Sequence, residues 1–254
     1  MPNRRLPNST PAVLRTFQTA HDTWLLTPVA SERAITLEQF AQLDLTVPTS
    51  LFSRLKQEAS QVDLALAAQA PLSSDLAVKV ARLTVFVSHF HQVLDLGVAR
   101  GDFAVGARTF YGRDITATTL PDLTTYIAVA EAAQKIVAGE AARAAAEGAS
   151  FKAMALPSAL EVGSVLAAYK LAASASQAAQ TKTDDEREDV SQLYPEAQAL
   201  AVDLCDTVEF FYRKDPSDGS RRTKCQRWGV VYFFDSAATP VVTPPVVTAP
   251  VVTP

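Results

Sequence analysis

Residues 52–94 read FSRLKQEASQVDLALAAQAPLSSDLAVKVARLTVFVSHFHQVL, and the spacing of their apolar side chains decides the fold class. Phe52, Leu55, Ala59, Val62 and Leu66 step by three and four, and Leu76, Val80, Leu83, Val87, Phe90 and Leu94 resume the rhythm. Strands alternate, whereas recurrence by three and four gathers side chains on one stripe of an α-helix. A stripe this narrow suits helices packed in a left-handed bundle. Ala70-Pro71-Leu72-Ser73-Ser74 interrupts the two runs with a proline, which lacks a backbone N–H, and with serines able to cap a new helix. The spacing therefore predicts an antiparallel helical hairpin. Val78 and Val85 lie behind the main stripe, which predicts either a central helix covered on two sides or an oligomer face.

The same reasoning extends outward. Leu14, Phe17 and Trp24 predict a helix over 12–26, and Thr36-Leu-Glu-Gln39 fits a capping box opening a short helix through Leu37, Phe40 and Leu43. A third helix of the bundle is predicted from near Pro121 through Ile127, Ala130 and Val137 to a stop at Gly148. A fourth starts at Ser158-Ala-Leu-Glu161, another capping box, with Val162, Leu166, Tyr169 and Ala173 on its stripe. The fifth starts at Thr183-Asp-Asp-Glu186 and continues through Leu200, Leu204, Val208 and Phe211, with Pro195 kinking or restarting it. Segments 49–101 and 157–215 look alike in outline, as an ancient duplication of a helical hairpin would. Gly229-Val-Val-Tyr-Phe-Phe234 is the best strand candidate, and its backbone groups need a partner: the stretch from Arg4 to Thr10, the same strand of another subunit, or a strap position across the bundle. Its two faces both carry apolar bulk and are expected to be covered. The expected fold is all-α: a four- to five-helix antiparallel bundle with a short C-terminal strand and a Pro/Val/Thr tail. Residues 1–48 form a leading helical segment, 49–235 the bundle and 236–254 an extended low-complexity tail.

Composition narrows the chemistry. A chain of 254 residues, 48% hydrophobic with net charge -4, has ample material for a core, and any basic patch on it must be local. No run approaches the length of a membrane span, and no export signal of the usual kind is visible, which leads to an expectation of a cytoplasmic protein. Cys205 and Cys225 are the only cysteines, too few for a disulfide scaffold, and neither phosphate-cradling glycine motif occurs. His89 and His91, two apart on a helix, diverge and cannot share a metal; no Glu-x-x-His occurs, so the di-iron carboxylate pattern is missing. Ser88 beside His89 and Cys205 beside Asp206 are helical neighbours that diverge, not nucleophile elbows. The run from Asp184 to Asp189 reads as a helix N-terminus rich in carboxylates, and Arg100-Gly101-Asp102 as a helix stop rather than an adhesion motif. No metal, cofactor or catalytic residue is expected.

One stretch stands apart. RRTKCQRWGVVYFF, residues 221–234, runs cations into aromatics. Between 213 and 227, Arg213, Lys214, Arg221, Arg222, Lys224 and Arg227 face only Asp215 and Asp218, with Trp228 directly after. These cations and Trp228 are the candidate contacts for a polyanion or a protein partner. Packing at a helix exit, where cations meet terminal carbonyls and local acids, competes with nucleic-acid binding and is preferred.

The opening Met1-Pro-Asn-Arg-Arg-Leu-Pro-Asn8, the Phe110-Tyr111-Gly112 turn and Arg227-Trp-Gly-Val-Val-Tyr232 resemble, in order and spacing over most of the chain, a set of uncharacterised bacterial helical proteins. The resemblance implies a bacterial helical protein and transfers no catalytic or binding residue. The sequence thus leads to a non-enzymatic structural or protein-interaction protein that self-associates or binds a protein partner. Small-ligand or nucleic-acid binding through 213–234 is the alternative.

Overall fold

The computed structural model describes residues 3–117 and 119–233. Among them are seven α-helices, two single-turn 3-10 segments and one two-stranded ribbon: β1 (Asn3–Arg5), α1 (Thr10–Leu26), α2 (Leu37–Leu43), α3 (Leu51–Arg100), α4 (Ala107–Phe110), α5 (Tyr126–Glu147), α6 (Ala159–Phe211), α7 (Asp218–Arg227) and β2 (Val231–Phe233). The all-α class holds, and the count of four to five helices is corrected to seven. The Pro/Val/Thr tail, 236–254, lies outside the described residues.

The largest correction concerns the two longest helices. The predicted hairpin is one helix of 50 residues, α3, running through Pro71. The predicted fourth and fifth helices are likewise one helix of 53 residues, α6, running through Pro195. A proline inside a helix forfeits one backbone hydrogen bond and crowds the preceding turn, at about 3 kcal/mol. Packing on both sides of Pro71 offsets that cost. Ala65 and Val80 are buried, and Gln69 Oε1 accepts a hydrogen bond of 2.9 Å from Thr183 Oγ1, itself buried in α6. Thr183 is therefore mid-helix, and the acidic run after it is no helix N-terminus.

The chain divides into two compact units, Met1–Ser60 with Glu188–Pro254 (unit 1) and Gln61–Arg187 (unit 2). α3 and α6 each pass without a break from one unit into the other.

In unit 1 the core is built from α1 (Val13, Phe17, Ala20, Trp24), the first turns of α3 (Leu51, Phe52, Leu55), the last third of α6 (Ala197, Ala201, Leu204, Cys205, Val208) and Cys225, Trp228 and Val230. α2 starts with the expected box: Thr36 Oγ1 accepts from Gln39 N at 3.1 Å, and Gln39 Oε1 accepts from Thr36 N at 2.9 Å. The strand finds its partner at the N-terminus, pairing antiparallel with Arg4 opposite Tyr232. Only one of its faces is covered, since Val231 and Phe233 are exposed, which corrects the expectation of burial on both. Phe211, placed on the α6 stripe by spacing, is also exposed because it sits on the last residue of the helix.

In unit 2 the last half of α3 packs on α5 and on the first turns of α6, around Leu83, Val87, Phe90, Leu94, Val129, Ile136, Val162 and Leu166. Gln69 meets Thr183, while Val93 shares a cleft with Glu161, so the numbering rises along one helix as it falls along the other and the pair is antiparallel. Val78 (60% exposed) and Val85 (48%) face solvent, which removes the two-sided burial expected for α3. Ala65, not Leu66, is the buried residue at that level. On α5 the stripe is Val129, Ala133 and Ile136 rather than Ile127, Ala130 and Val137, and the helix starts at Tyr126 with Thr125 as its cap. α5 ends at Gly148 as predicted, and α6 opens with the Ser158–Glu161 reciprocal cap. Gly139 admits α4, because a Cβ there would lie 2.3 Å from the Phe110 carbonyl oxygen.

Candidate functional site

The basic stretch of unit 1 is a helix that apolar spacing did not reveal. α7 is capped by Ser217, whose Oγ accepts from Ser220 N, with Asp218 in its first turn and Lys224 and Arg227 in its last. Those charges suit the helix dipole. Two of the six candidate cations are spent locally: Lys224 Nζ lies 2.6 Å from Asp215 and Arg221 2.9 Å from Asp218. The hydrogen bond from Lys224 holds the Asp215 carboxyl below its ordinary value. Trp228 is buried in the core, its Nε1 donating to Tyr212 Oη at 3.2 Å. Arg227 contributes its carbonyl, which accepts from Thr23 Oγ1 at 2.5 Å.

Arg213, Lys214 and Arg222 are arranged differently. Arg222 lines an open cleft with Arg213, Arg221, Arg4, Glu209 and Tyr232, where Arg4 is paired with Asp206 and Glu209 and Tyr232 Oη donates to Glu209 at 2.6 Å. Burial and that bond to Glu209 push the Tyr232 hydroxyl well above its usual range. Arg213 and Lys214 line a second cleft of about 410 Å³ together with Phe210, Phe211, Thr207 and, from the far end of the chain, Arg33 to Thr36. The Arg213 guanidinium lies 3.6 Å from the Phe210 ring centroid. Arg33 stacks on Trp24 at 4.3 Å and donates from Nε to the Thr27 carbonyl at 2.9 Å. Of the seven residues singled out by sequence, the cleft thus gathers Arg213 and Lys214. Arg33, Phe210 and Phe211 were missed, and only the exposed phenyl pair at a helix end next to two cations was there to be noticed.

Unit 2 concentrates its charge inside. Arg143 is fully buried, its guanidinium between Phe103 (4.9 Å) and Phe151 (4.8 Å), with Nη2 donating to the Lys152 carbonyl at 2.6 Å. Glu140 and Glu147 flank it at 3.4 and 3.7 Å. Glu140 also accepts from Tyr111 Oη and from Met154 N, so one carboxylate ties α4 and the 148–158 loop to α5. Arg113, also buried, meets Asp95 at 2.9 Å and donates to the carbonyls of Ala117 and Thr119. Burial would raise the Asp95 carboxyl, but hydrogen bonds from Arg108 and Arg113 outweigh it and hold the group low. Beside them His91 is 1% exposed, with no hydrogen bond at Nδ1 among the described residues; burial, then the charge of Arg113, pushes it down to about 4, and it is neutral at pH 7. His89 is exposed and borders an apolar cleft of about 370 Å³ with Phe86, Val93, Leu96, Leu156 and Pro157.

Cys205 and Cys225 are free and buried, and burial pushes the Cys205 thiol up to about 11, so it is an inert core side chain at neutral pH. No helix among the described residues is long and apolar enough to cross a membrane. No protein-family model matches the chain, and neither a curated protein nor a solved structure matches it.

Proposed function

We propose that the chain is a non-enzymatic structural or protein-interaction protein. The observation that carries this reading is the contrast between its buried charges and its exposed apolar side chains. Arg113 and Arg143 each bond a loop carbonyl and pair with a carboxylate on a helix, Asp95 of α3 and Glu140 of α5, which serves folding. Leu96 (58% exposed), Leu156 (73%) and Leu160 (84%) meanwhile stand at or next to the His89 cleft, where they cost solubility unless something covers them. Light scattering over a concentration series tests this. The expected result is self-association that the Leu96→Ser, Leu156→Ser, Leu160→Ser triple variant loses without a change in melting temperature. A wild-type chain that stays monomeric at every concentration, with a triple variant that melts lower, would assign these side chains to the fold and sink the reading.

A second reading, small-ligand or nucleic-acid binding through 213–234, is favoured by one observation: among the described residues Arg213, Lys214, Arg222 and Arg227 have no carboxylate partner. Binding to labelled oligonucleotides across a salt series tests it, because phosphate contacts weaken steeply as salt rises.

A further inference from the structure

We propose that the cleft between Arg33–Thr36 and the end of α6 is a docking site for an acidic peptide segment carrying one apolar side chain. The proposal rests on the interaction reading and gives it a partner chemistry. Thr207, Phe210 and Phe211 follow the spacing i, i+3, i+4 on one side of the end of α6, and Lys214 joins them from the turn that follows the helix. Phe210 is 63% exposed and Phe211 41%, a large apolar surface to leave in water. Arg33, Arg213 and Lys214 bring three cations to that surface, no carboxylate lines it, and among the described residues none of the three has an ion-pair partner. Elsewhere in the same unit Arg4, Arg221 and Lys224 have one, whereas among the described residues Arg222 and Arg227 do not. What sets this surface apart is that three cations without an ion-pair partner surround two exposed phenyl rings, an arrangement that an acidic, partly apolar ligand complements.

The guanidiniums are also pre-positioned. Stacking of Arg213 on Phe210 and of Arg33 on Trp24 fixes each planar group by its face and leaves N–H edges for a carboxylate. The same stacking argues against nucleic acid: Arg213 occupies a ring face that a base would need, and three cations make few phosphate contacts. A volume of about 410 Å³ accommodates one large side chain with its neighbours, not an extended strand.

Fluorescence anisotropy on the full chain decides it, with a short fluorescein-labelled peptide that places glutamates on both sides of one phenylalanine. Saturable binding that weakens with salt is expected. Arg213→Glu with Lys214→Glu should weaken it by about tenfold or more, as should Phe210→Ser, with melting temperatures unchanged. Replacing the peptide's glutamates by glutamines should do the same. Several results would overturn the proposal: no saturable binding, equal binding of the glutamine peptide, or tighter binding of a single-stranded oligonucleotide with the same dependence on Arg213 and Phe210. So would self-association abolished by the Arg213→Glu variant, which would make a second copy the occupant. Loss of peptide binding with the leucine-dependent association intact would remove this site alone, because those leucines belong to unit 2.

Discussion

Unit 2 hides two arginines and unit 1 displays two, and the difference lies in what each loop leaves unsatisfied. The segments 101–125 and 148–158 have little regular structure, so their carbonyls must find donors elsewhere. Arg113 answers Ala117 and Thr119, and Arg143 answers Lys152, each with a carboxylate alongside to balance the charge. Arg213 follows a helix whose end is open to water, and Arg33 spends only its Nε on a carbonyl. Burying an arginine costs several kcal/mol unless its charge is balanced and donors are met; loop carbonyls and a carboxylate offset part of that cost for Arg113 and Arg143, although among the described residues Nε of both and Nη1 of Arg143 have no hydrogen-bond partner.

The sharpest way to break this comparison is Arg143→Met. It removes the cation from a site that keeps Glu140 and Glu147, leaving carboxylates without their partner. The expected loss is about 3–5 kcal/mol in urea unfolding. Arg213→Met, by contrast, should stay within about 0.5 kcal/mol. Similar losses at both positions would mean that exposure does not separate the two classes.

His91 gives the next largest effect through pH. Its folded value, about 4, lies below the 6.5 of an unhindered imidazole, so between those values the unfolded chain binds a proton that the folded chain does not. Stability should therefore fall as pH drops from about 6.5 towards 4, by about 3 kcal/mol at most, and this contribution should level off below 4. His91→Leu should flatten that limb. An unchanged acid limb in the variant would assign it instead to Asp95, whose carboxyl is held low by Arg108 and Arg113.

The core of unit 2 was legible because it obeys the helical period: Leu83, Val87, Phe90 and Leu94 were picked by spacing alone and each is fully buried. Pro71 was misread because a turn and a tolerated helical proline share the same local residues, and only the contact between Gln69 and Thr183, 114 positions apart, distinguishes them. α7 was missed because one residue in ten, Cys225, is buried, so no stripe exists to be read; its signature was the Ser217 cap and the order of its charges. Arg33 carries no local mark of its cleft at all, since its role depends on the fold bringing 33 to 213. Replacing Pro71 by alanine checks the first of these. A continuous helix regains a hydrogen bond and loses the crowding, offset by about 1 kcal/mol of added freedom in the unfolded chain, for a net gain of about 2 kcal/mol. A neutral or destabilising Pro71→Ala would restore the turn.

The smallest effect concerns the cations of α7, where the comparison is finest because paired and unpaired arginines sit next to each other. Arg221 is 2.9 Å from Asp218 with both side chains partly in water, and such pairs contribute about 0–1 kcal/mol, because solvent screens the attraction and two long side chains must be held still. Arg222 has no acid partner among the described residues. Reversing Arg222 alone to glutamate should leave thermal stability nearly unchanged, and reversing Arg221 as well should cost less than about 1 kcal/mol, most of it from placing a negative charge beside Asp218. The double variant should still bind the acidic phenylalanine peptide, since neither side chain lines the Phe210 cleft. A double reversal that abolishes peptide binding while Lys214→Glu leaves it intact would move the site from the end of α6 to the cleft beside Arg4 and Tyr232, which Arg221 and Arg222 line and Lys214 does not.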